Sequence, residues 1–79
     1  MTDMDDRHPV TIQLFQWFTF DHLPAGRPRE TSAYCAILAE NMIETLPDGP
    51  ELSAGLRKLL EAKDCFVRQA IVSDHRYAT

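Results

Sequence analysis

The sequence has little of what usually stabilises small secreted domains or structural metal sites. Only two cysteines, Cys35 and Cys65, occur in 79 residues, and they do not form a CxxC pair. Both fall at apolar positions of helical patterns, so neither a disulfide framework nor a zinc site is expected. We interpret both as small core residues.

Long apolar runs and excess positive charge are missing as well. No run approaches the roughly 18 apolar residues that a membrane span requires. The first residues are acidic, whereas a secretory leader begins with basic ones, so we expect a cytoplasmic protein. The net charge of -4 argues against binding to long nucleic acids, because phosphate binding depends on many cationic contacts.

The common catalytic signatures are absent from the sequence. It contains no glycine-rich phosphate loop, no HExxH motif and no Ser or Cys nucleophile beside a His, and these are the patterns that usually indicate catalysis. We therefore expect a protein that is not an enzyme and that has no cofactor or metal. The isolated Asp and His residues are expected to be solvated or helix-capping; they are Asp3, Asp5, Asp6, His8, His22 and His75.

The chain length predicts one small domain, whose own core is marginal because a chain of this size buries only about 60% of its unfolded surface. Residues 1–8 are expected to be disordered, and residues 9–79 to form a single all-α domain. Helices are predicted at about 10–20, 29–46 and 49–72. The first contains several residues that favour extended structure, so a β-strand is the alternative there. Its apolar spacing favours a helix.

A proline-rich turn separates the second and third helices. Pro47 ends one helix. Asp48 then suits the N-cap of the next, with Pro50 in its first turn and Glu51 as a capping-box carboxylate. The sequence therefore predicts an antiparallel two-helix hairpin preceded by a short N-terminal helix.

Both hairpin helices are predicted to be amphipathic. The second places Tyr34, Ile37, Leu38 and Met42 on one face with i, i+3, i+4 spacing. The third is apolar along about six turns, which is more than a partner of about four turns can cover. Its apolar positions are Leu52, Leu56, Leu59, Leu60, Lys63 by its aliphatic stem, Phe66, Val67, Ala70 and Ile71.

The uncovered part of that third helix is expected to be an interface between copies of the chain. It would be formed by Leu56, Leu60, Phe66 and Val67. Contiguous apolar patches of this kind usually indicate an interaction surface. We therefore expect the hairpin to assemble into a homo-oligomeric helical bundle.

An aromatic cluster precedes a loop with basic residues. Four of the seven aromatic residues lie between Phe15 and Phe20, and His22, Arg27 and Arg29 follow them. An aromatic face can stack on a nucleobase and a guanidinium can bridge phosphate oxygens, so this combination suits a nucleotide pocket. The alternative is that the rings pack onto the hairpin and the arginines are solvated.

Several short motifs along the chain resemble, in order and spacing, those of a known family over about residues 18 to 72. They are Phe18-Thr19-Phe20-Asp21-His22-Leu23-Pro24, Leu38-Ala39, Pro47-Asp48 with Glu51 and Ser53, Lys58-Leu59 with Glu61-Ala62, and Ala70-Ile71. This pattern is similar to the hairpin domain of phage anti-CBASS cyclic-oligonucleotide sponges, a domain shared with a group of anti-Thoeris sponges.

The resemblance implies a phage protein that sequesters cyclic di- or trinucleotides in the cytoplasm of an infected bacterial cell. Such sponges prevent immune signalling without cleaving the nucleotide, and they are commonly homohexamers with ligands held between protomers. The family's Phe-Thr-Tyr-His-Pro-Pro segment corresponds to Phe18-Thr19-Phe20 with His22 and Pro24. Phe20 would therefore inherit the stacking role of the family's tyrosine.

The sequence departs from the family pattern at two points. Phe20 keeps the aromatic ring but lacks the tyrosine hydroxyl, so stacking is retained and a hydrogen bond is not. The family's cyclic-dinucleotide pocket also uses a basic residue early in the next helix, where this sequence has Ser32, Ala33 and Tyr34, so Arg27 or Arg29 would have to substitute for it from the loop. The resemblance also implies a second, phosphate-binding site, which is carried over to Arg57 and Arg68 by their position in the third helix and not by a matched motif.

A second function class stays open beside the sponge. Exposed apolar positions on the third helix and the aromatic run would equally suit a small helical interaction module. Such a module would bind or inhibit a host protein through Leu56, Leu60 and Val67. A stable complex with one protein, unaffected by nucleotides, would distinguish it from a sponge.

Overall fold

A computed structural model describes residues 6–20, 22–23 and 25–78, with side chains to residue 72. Within these ranges the chain is helical and contains no strand. The helices are α1 (Pro9–Phe15), α2 (Arg27–Thr45) and α3 (Pro50–Ala78). The predicted all-helical class is confirmed, and the first element is a helix rather than a strand. Some predicted features lie outside the described residues, namely Asp3, Asp5, Pro24 and the side chain of His75.

The helix bounds differ from the predicted ones at both ends of the chain. α1 ends at Phe15, because the N–H groups of Trp17 and Phe18 bond to Leu14 and Phe15 in tighter i to i−3 turns before the chain leaves the helix. α3 continues to Ala78, beyond the predicted end at residue 72. With 29 residues, it is about 44 Å long at 1.5 Å per residue. It therefore extends well beyond α2, which has 19 residues.

The core lies where α1 and α2 pack on α3. Leu14 of α1 and Phe18 beyond it meet Leu52 and Leu56 of α3 in one buried cluster. α2 contributes mainly small residues to this cluster, which are Cys35, Ala36 and Ala39 together with Ile43. The cysteine prediction is correct for Cys35 and wrong for Cys65, which is exposed.

Most large apolar residues of α2 are exposed and form what we call its outer face, whereas Ile43 is fully buried. Tyr34 is 69% exposed, and Ile37, Leu38 and Met42 are exposed as well. The sequence pattern had grouped these four residues on one face of an amphipathic helix, and the structure leaves all four exposed. α2 carries two apolar faces, and the face with small side chains is the one that packs within the chain.

The predicted interface residues of α3 separate into different environments. Leu56 is only 2% exposed and belongs to the core, and Val67 is also buried. Leu60 is partly buried against the core, while Phe66 is 56% exposed. The interface prediction is therefore wrong for Leu56 and Val67, whose side chains are already covered within one protomer.

The turn between α2 and α3 is held differently from the prediction. α3 begins at Pro50, and the N–H of Ser53 donates to the carbonyl of Gly49, which places Gly49 at the cap position. The Asp48 carboxylate instead accepts hydrogen bonds from the Arg7 side chain, the His8 backbone N–H and the Thr11 hydroxyl.

Arg7 and His8 were expected in a disordered segment, and the structure places them against this turn. The Arg7 guanidinium donates to the carbonyls of Ile43 and Leu46 as well as to Asp48. The His8 ring accepts from the N–H of Val10 and so caps α1. Because the carboxylate needed for capping α3 is occupied by these contacts, it fastens α1 to the hairpin instead.

Among the described residues, no helix combines the length and apolar character needed to cross a membrane.

Candidate ligand-binding site

The segment that follows α1 is held to the hairpin by its backbone carbonyls. Lys63 Nζ donates to the carbonyl of Trp17 at 2.8 Å, and Ser32 Oγ donates to that of Thr19 at 2.9 Å. Arg29 Nε and Nη2 both donate to the carbonyl of Leu23, at 3.1 and 2.8 Å. Side chains from α2 and α3 therefore fix this segment, which has no regular secondary structure to satisfy its own backbone.

Lys63 reaches the segment from inside the structure. Its side chain is only 8% exposed, and its ammonium lies 5.8 Å from the centre of the Phe18 ring. A buried ammonium is costly unless it is hydrogen-bonded, and the Trp17 carbonyl and the Phe18 ring supply this compensation. The sequence pattern had placed Lys63 on the apolar face of α3, and the structure confirms that position.

The aromatic residues of this segment fall into three environments. Phe18 is buried in the core. Phe15 and Phe20 are partly buried and pack against the core. Trp17 is 62% exposed. The packing alternative is therefore correct for Phe18, whereas Trp17 presents most of its ring to solvent.

The loop and the start of α2 bring basic residues to the same end of the hairpin. His22 is exposed, and its Nδ1 lies 3.4 Å from the Thr19 hydroxyl. Gly26 has φ +107°, a backbone conformation that glycine adopts without strain, and α2 starts directly after it. Arg27 is exposed in the first turn of α2, and Arg29 is partly buried. The sequence from His22 to Arg29 contains no acidic residue.

The predicted site residues are only partly brought together. Phe20, His22, Arg27 and Arg29 lie on the loop and the adjacent turn of α2, while Pro24 lies outside the described residues. Ser32 was a candidate ligand contact, and the structure contradicts this. Its side chain is fully buried and committed to the Thr19 carbonyl.

Arg57 and Arg68 do not form one site. Arg57 lines a groove of about 510 Å³ beside the hairpin turn, together with His8, Thr11 and Ser53. Arg68 lies three turns further along α3, about 16 Å away by helix rise, and its Nη2 is 3.4 Å from Cys65 Sγ. The predicted second phosphate site is not supported by this separation.

The turn end of the hairpin has the opposite character from the loop end. A groove of about 540 Å³ runs between α2 and α3 there. Its apolar walls are formed by Leu38, Met42, Leu46, Leu52, Leu56 and Leu59. Leu38 and Met42 therefore lie at the edge of the outer face of α2, where it borders this groove. Asp48 and Glu51 are the charged residues that line it. This groove suits an apolar occupant and is poorly suited to a phosphate.

Among the residues that the structure describes, two titratable groups are perturbed by these arrangements. The pKa of Asp48 lies below its usual range, chiefly because the His8 backbone N–H donates to the carboxylate, with further hydrogen bonds from Thr11 and Arg7. Burial raises the pKa of the Cys35 thiol, and the charge of Lys63 partly opposes this shift. Neither group belongs to the loop, so both perturbations concern the fold.

Two contributions to the candidate site escaped prediction from the sequence. Trp17 was counted within the aromatic run but not singled out, because its exposure depends on where α1 ends. Lys63 was read as an apolar stem, and the carbonyl that its ammonium binds is distant in sequence. The sequence feature that could have indicated this role is a lysine in the middle of an otherwise apolar helix face.

Among the described residues, no group of three or more His, Cys, Asp or Glu side chains could hold a metal ion.

No family model, curated protein or solved structure matches this chain.

Proposed function

We propose that this protein is a sponge that binds cyclic di- or trinucleotides and sequesters them without cleavage. In this proposal it acts in the cytoplasm of a phage-infected bacterium and blocks CBASS-type immune signalling. The motif resemblance described above supplies the ligand class. The observation that carries the proposal is the loop segment itself, an aromatic stretch held in place through its backbone carbonyls.

Fixing a loop through its backbone leaves its side chains available for a ligand. Preorganisation of this kind reduces the ordering cost of binding. Trp17 and His22 are exposed on the held segment, and Phe20 is partly exposed. Aromatic rings stack on any nucleobase, since every base has a π face. The segment therefore supplies base-binding groups before the ligand arrives.

An exposed cationic group lies at this end of the hairpin for an anionic ligand. Arg27 is exposed in the first turn of α2, which also contains Glu30, and a guanidinium binds phosphate oxygens well. In this proposal the phosphodiester ring therefore contacts Arg27 at the loop end.

Self-association completes the proposal, with a homohexamer as the assembly that the resemblance implies. The outer face of α2 offers Tyr34, Ile37, Leu38 and Met42 to a second copy, and Phe66 of α3 is exposed as well. These residues replace Leu56 and Val67 as the proposed contact surface. Covering them would remove large apolar side chains from water, which is the main favourable term in protein association.

Calorimetric titration with cyclic di- and trinucleotides of adenosine and guanosine tests the proposal. A sponge binds at least one of them, and denaturation then releases it chemically intact, as mass spectrometry would show. Failure to bind any member of this panel would contradict the proposal. Recovery of a linear or hydrolysed product would indicate an enzyme instead.

A second candidate function is a helical module that binds or inhibits a host protein. The apolar groove between α2 and α3 favours it, because an amphipathic helix can place its apolar face in such a groove. A stoichiometric complex with one host protein that persists when nucleotides are added would support this function over the sponge.

A further inference from the structure

We infer that Trp17 is the residue that stacks on a base of the ligand, and that Lys63 is the positioning residue that holds Trp17 in place. This inference rests on the proposed nucleotide-binding function and identifies the stacking group within it. It differs from the sequence expectation, which assigned that role to Phe20.

Exposure distinguishes the two rings. A base can stack only on a ring face that is open to solvent. Phe20 is partly buried and packs against the core cluster, so part of its surface is already covered. Trp17 is 62% exposed. The indole also has a larger π surface than a phenyl ring and is the strongest aromatic partner for cations.

The position of Trp17 is set from the interior of the protein. Its carbonyl accepts from Lys63 Nζ, and its N–H donates to the carbonyl of Leu14. Both backbone polar groups of Trp17 are therefore hydrogen-bonded to buried residues, the N–H to Leu14 and the carbonyl to Lys63. Phe18, the next residue, is buried beneath the Lys63 ammonium. The chain is thus fixed on both sides of an exposed indole.

The basic loop follows directly in sequence. His22, Arg27 and Arg29 follow Trp17 in a stretch that contains no acidic residue and is flanked by Asp21 and Glu30. A ligand with a planar base and a phosphodiester linkage needs a stacking face and cationic groups. Trp17 supplies the first, and the start of α2 supplies the second.

The fluorescence of the protein provides a direct test, because Trp17 is its one tryptophan. For any cyclic nucleotide that binds in calorimetry, we expect quenching of Trp17 emission along the same binding curve. Trp17→Leu should weaken binding by about 5- to 150-fold, the range that corresponds to one base-stacking contact. Phe20→Leu should weaken it less.

Lys63→Met separates positioning from simple stability. It keeps the buried stem and removes the ammonium that binds the Trp17 carbonyl. We expect a folded protein by circular dichroism, with increased acrylamide quenching of Trp17 and weaker nucleotide binding. Lys63→Arg should partly restore the protection of Trp17 from acrylamide and the nucleotide affinity, since it retains a charged donor. Lys58→Met, at an exposed position of the same helix, is the matched control and should leave the quenching and the affinity unchanged.

The outcomes separate this inference from the function on which it rests. If no cyclic nucleotide binds, the proposed function fails and the inference fails with it. If a nucleotide binds but Trp17 emission is unchanged and Trp17→Leu binds as the wild type does, only the inference is overturned. If Lys63→Met unfolds the protein, the comparison of Trp17→Leu with Phe20→Leu still decides which ring stacks, because neither side chain is fully buried.

Discussion

Leu56→Ala tests whether the middle of α3 serves the core of one protomer or an interface between protomers. The side chain is 2% exposed and belongs to the core cluster. Truncating a buried leucine to alanine costs about 2–5 kcal/mol, from lost burial and from the cavity left behind. A chain of 79 residues has a total stability of roughly 4–12 kcal/mol. The substitution therefore removes a large share of the free energy of unfolding.

Thermal unfolding followed by circular dichroism measures this loss. For a domain of this size each kcal/mol lowers Tm by about 4–8 °C, so Leu56→Ala should lower Tm by at least about 8 °C. This decrease should be present in dilute as well as concentrated protein, because the contact lies within one chain. Phe66→Ala is the control on the same helix, since that side chain is exposed, and its intrinsic effect should stay within about 0.5 kcal/mol.

If Leu56 served an interface between protomers, the effect of the substitution on Tm would depend on protein concentration. The variant would then match the wild type in dilute protein, and its Tm would fall only where the wild type is associated. That result would refute the assignment of Leu56 to the core. It would also restore the interface predicted from the sequence.

Three further predictions concern other parts of the fold. The hydrogen bond from the His8 backbone N–H lowers the pKa of Asp48 in the folded protein. The ionised carboxylate therefore stabilises the fold at pH values above its unfolded pKa of about 3.9. This stabilisation is lost as the pH falls through the lower pKa of the folded state. The Tm advantage of wild type over Asp48→Asn should therefore be largest near neutral pH and shrink in acid, and an advantage independent of pH would contradict this. Cys65 is exposed and Cys35 buried, so iodoacetamide should modify Cys65 first in native protein, as peptide mass spectrometry would show; equal rates would argue against the packing. If the outer face of α2 joins copies of the chain, Ile37→Asp should give a folded monomer by light scattering, and an unchanged mass would exclude that face.

The hairpin could be predicted from the sequence because its determinants are local. Pro47 cannot continue a helix without strain, and Pro50 suits a first helical turn. Both helix bounds near the turn follow from these two residues. The role of Asp48 could not be predicted in the same way. Its partners Arg7 and Thr11 are distant in sequence, and nothing local favours them over the cap.

The sequence analysis did not identify the packed face of α2, for a physical reason. Periodicity gives most weight to large apolar side chains, so it grouped Tyr34, Ile37 and Leu38 on one face. The buried face instead contains Ala36 and Ala39, whose small side chains contribute little to such a pattern. A pattern of apolar residues identifies two apolar faces on such a helix, and it cannot indicate which one the same chain will cover.

The candidate site was predictable as a segment and not as a set of contacts. The aromatic run and the basic loop are visible in the sequence. Ser32 and Arg29 were expected to face a ligand, whereas both bind backbone carbonyls of the loop. Polar side chains beside a loop are often required by the chain itself, since the backbone polar groups of an irregular segment need hydrogen-bond partners.

The arrangement of α2 links the loop to association. Its packed face contributes mostly small side chains, while its outer face carries Tyr34, Ile37, Leu38 and Met42. Fully burying one large apolar side chain is worth about 1.5–3 kcal/mol, so covering the outer face would stabilise this helix substantially. The same helix begins with Arg27 and holds the loop through Ser32 and Arg29. Association that stabilises α2 should therefore also stabilise the loop, and nucleotide affinity should rise with protein concentration until the outer face is covered.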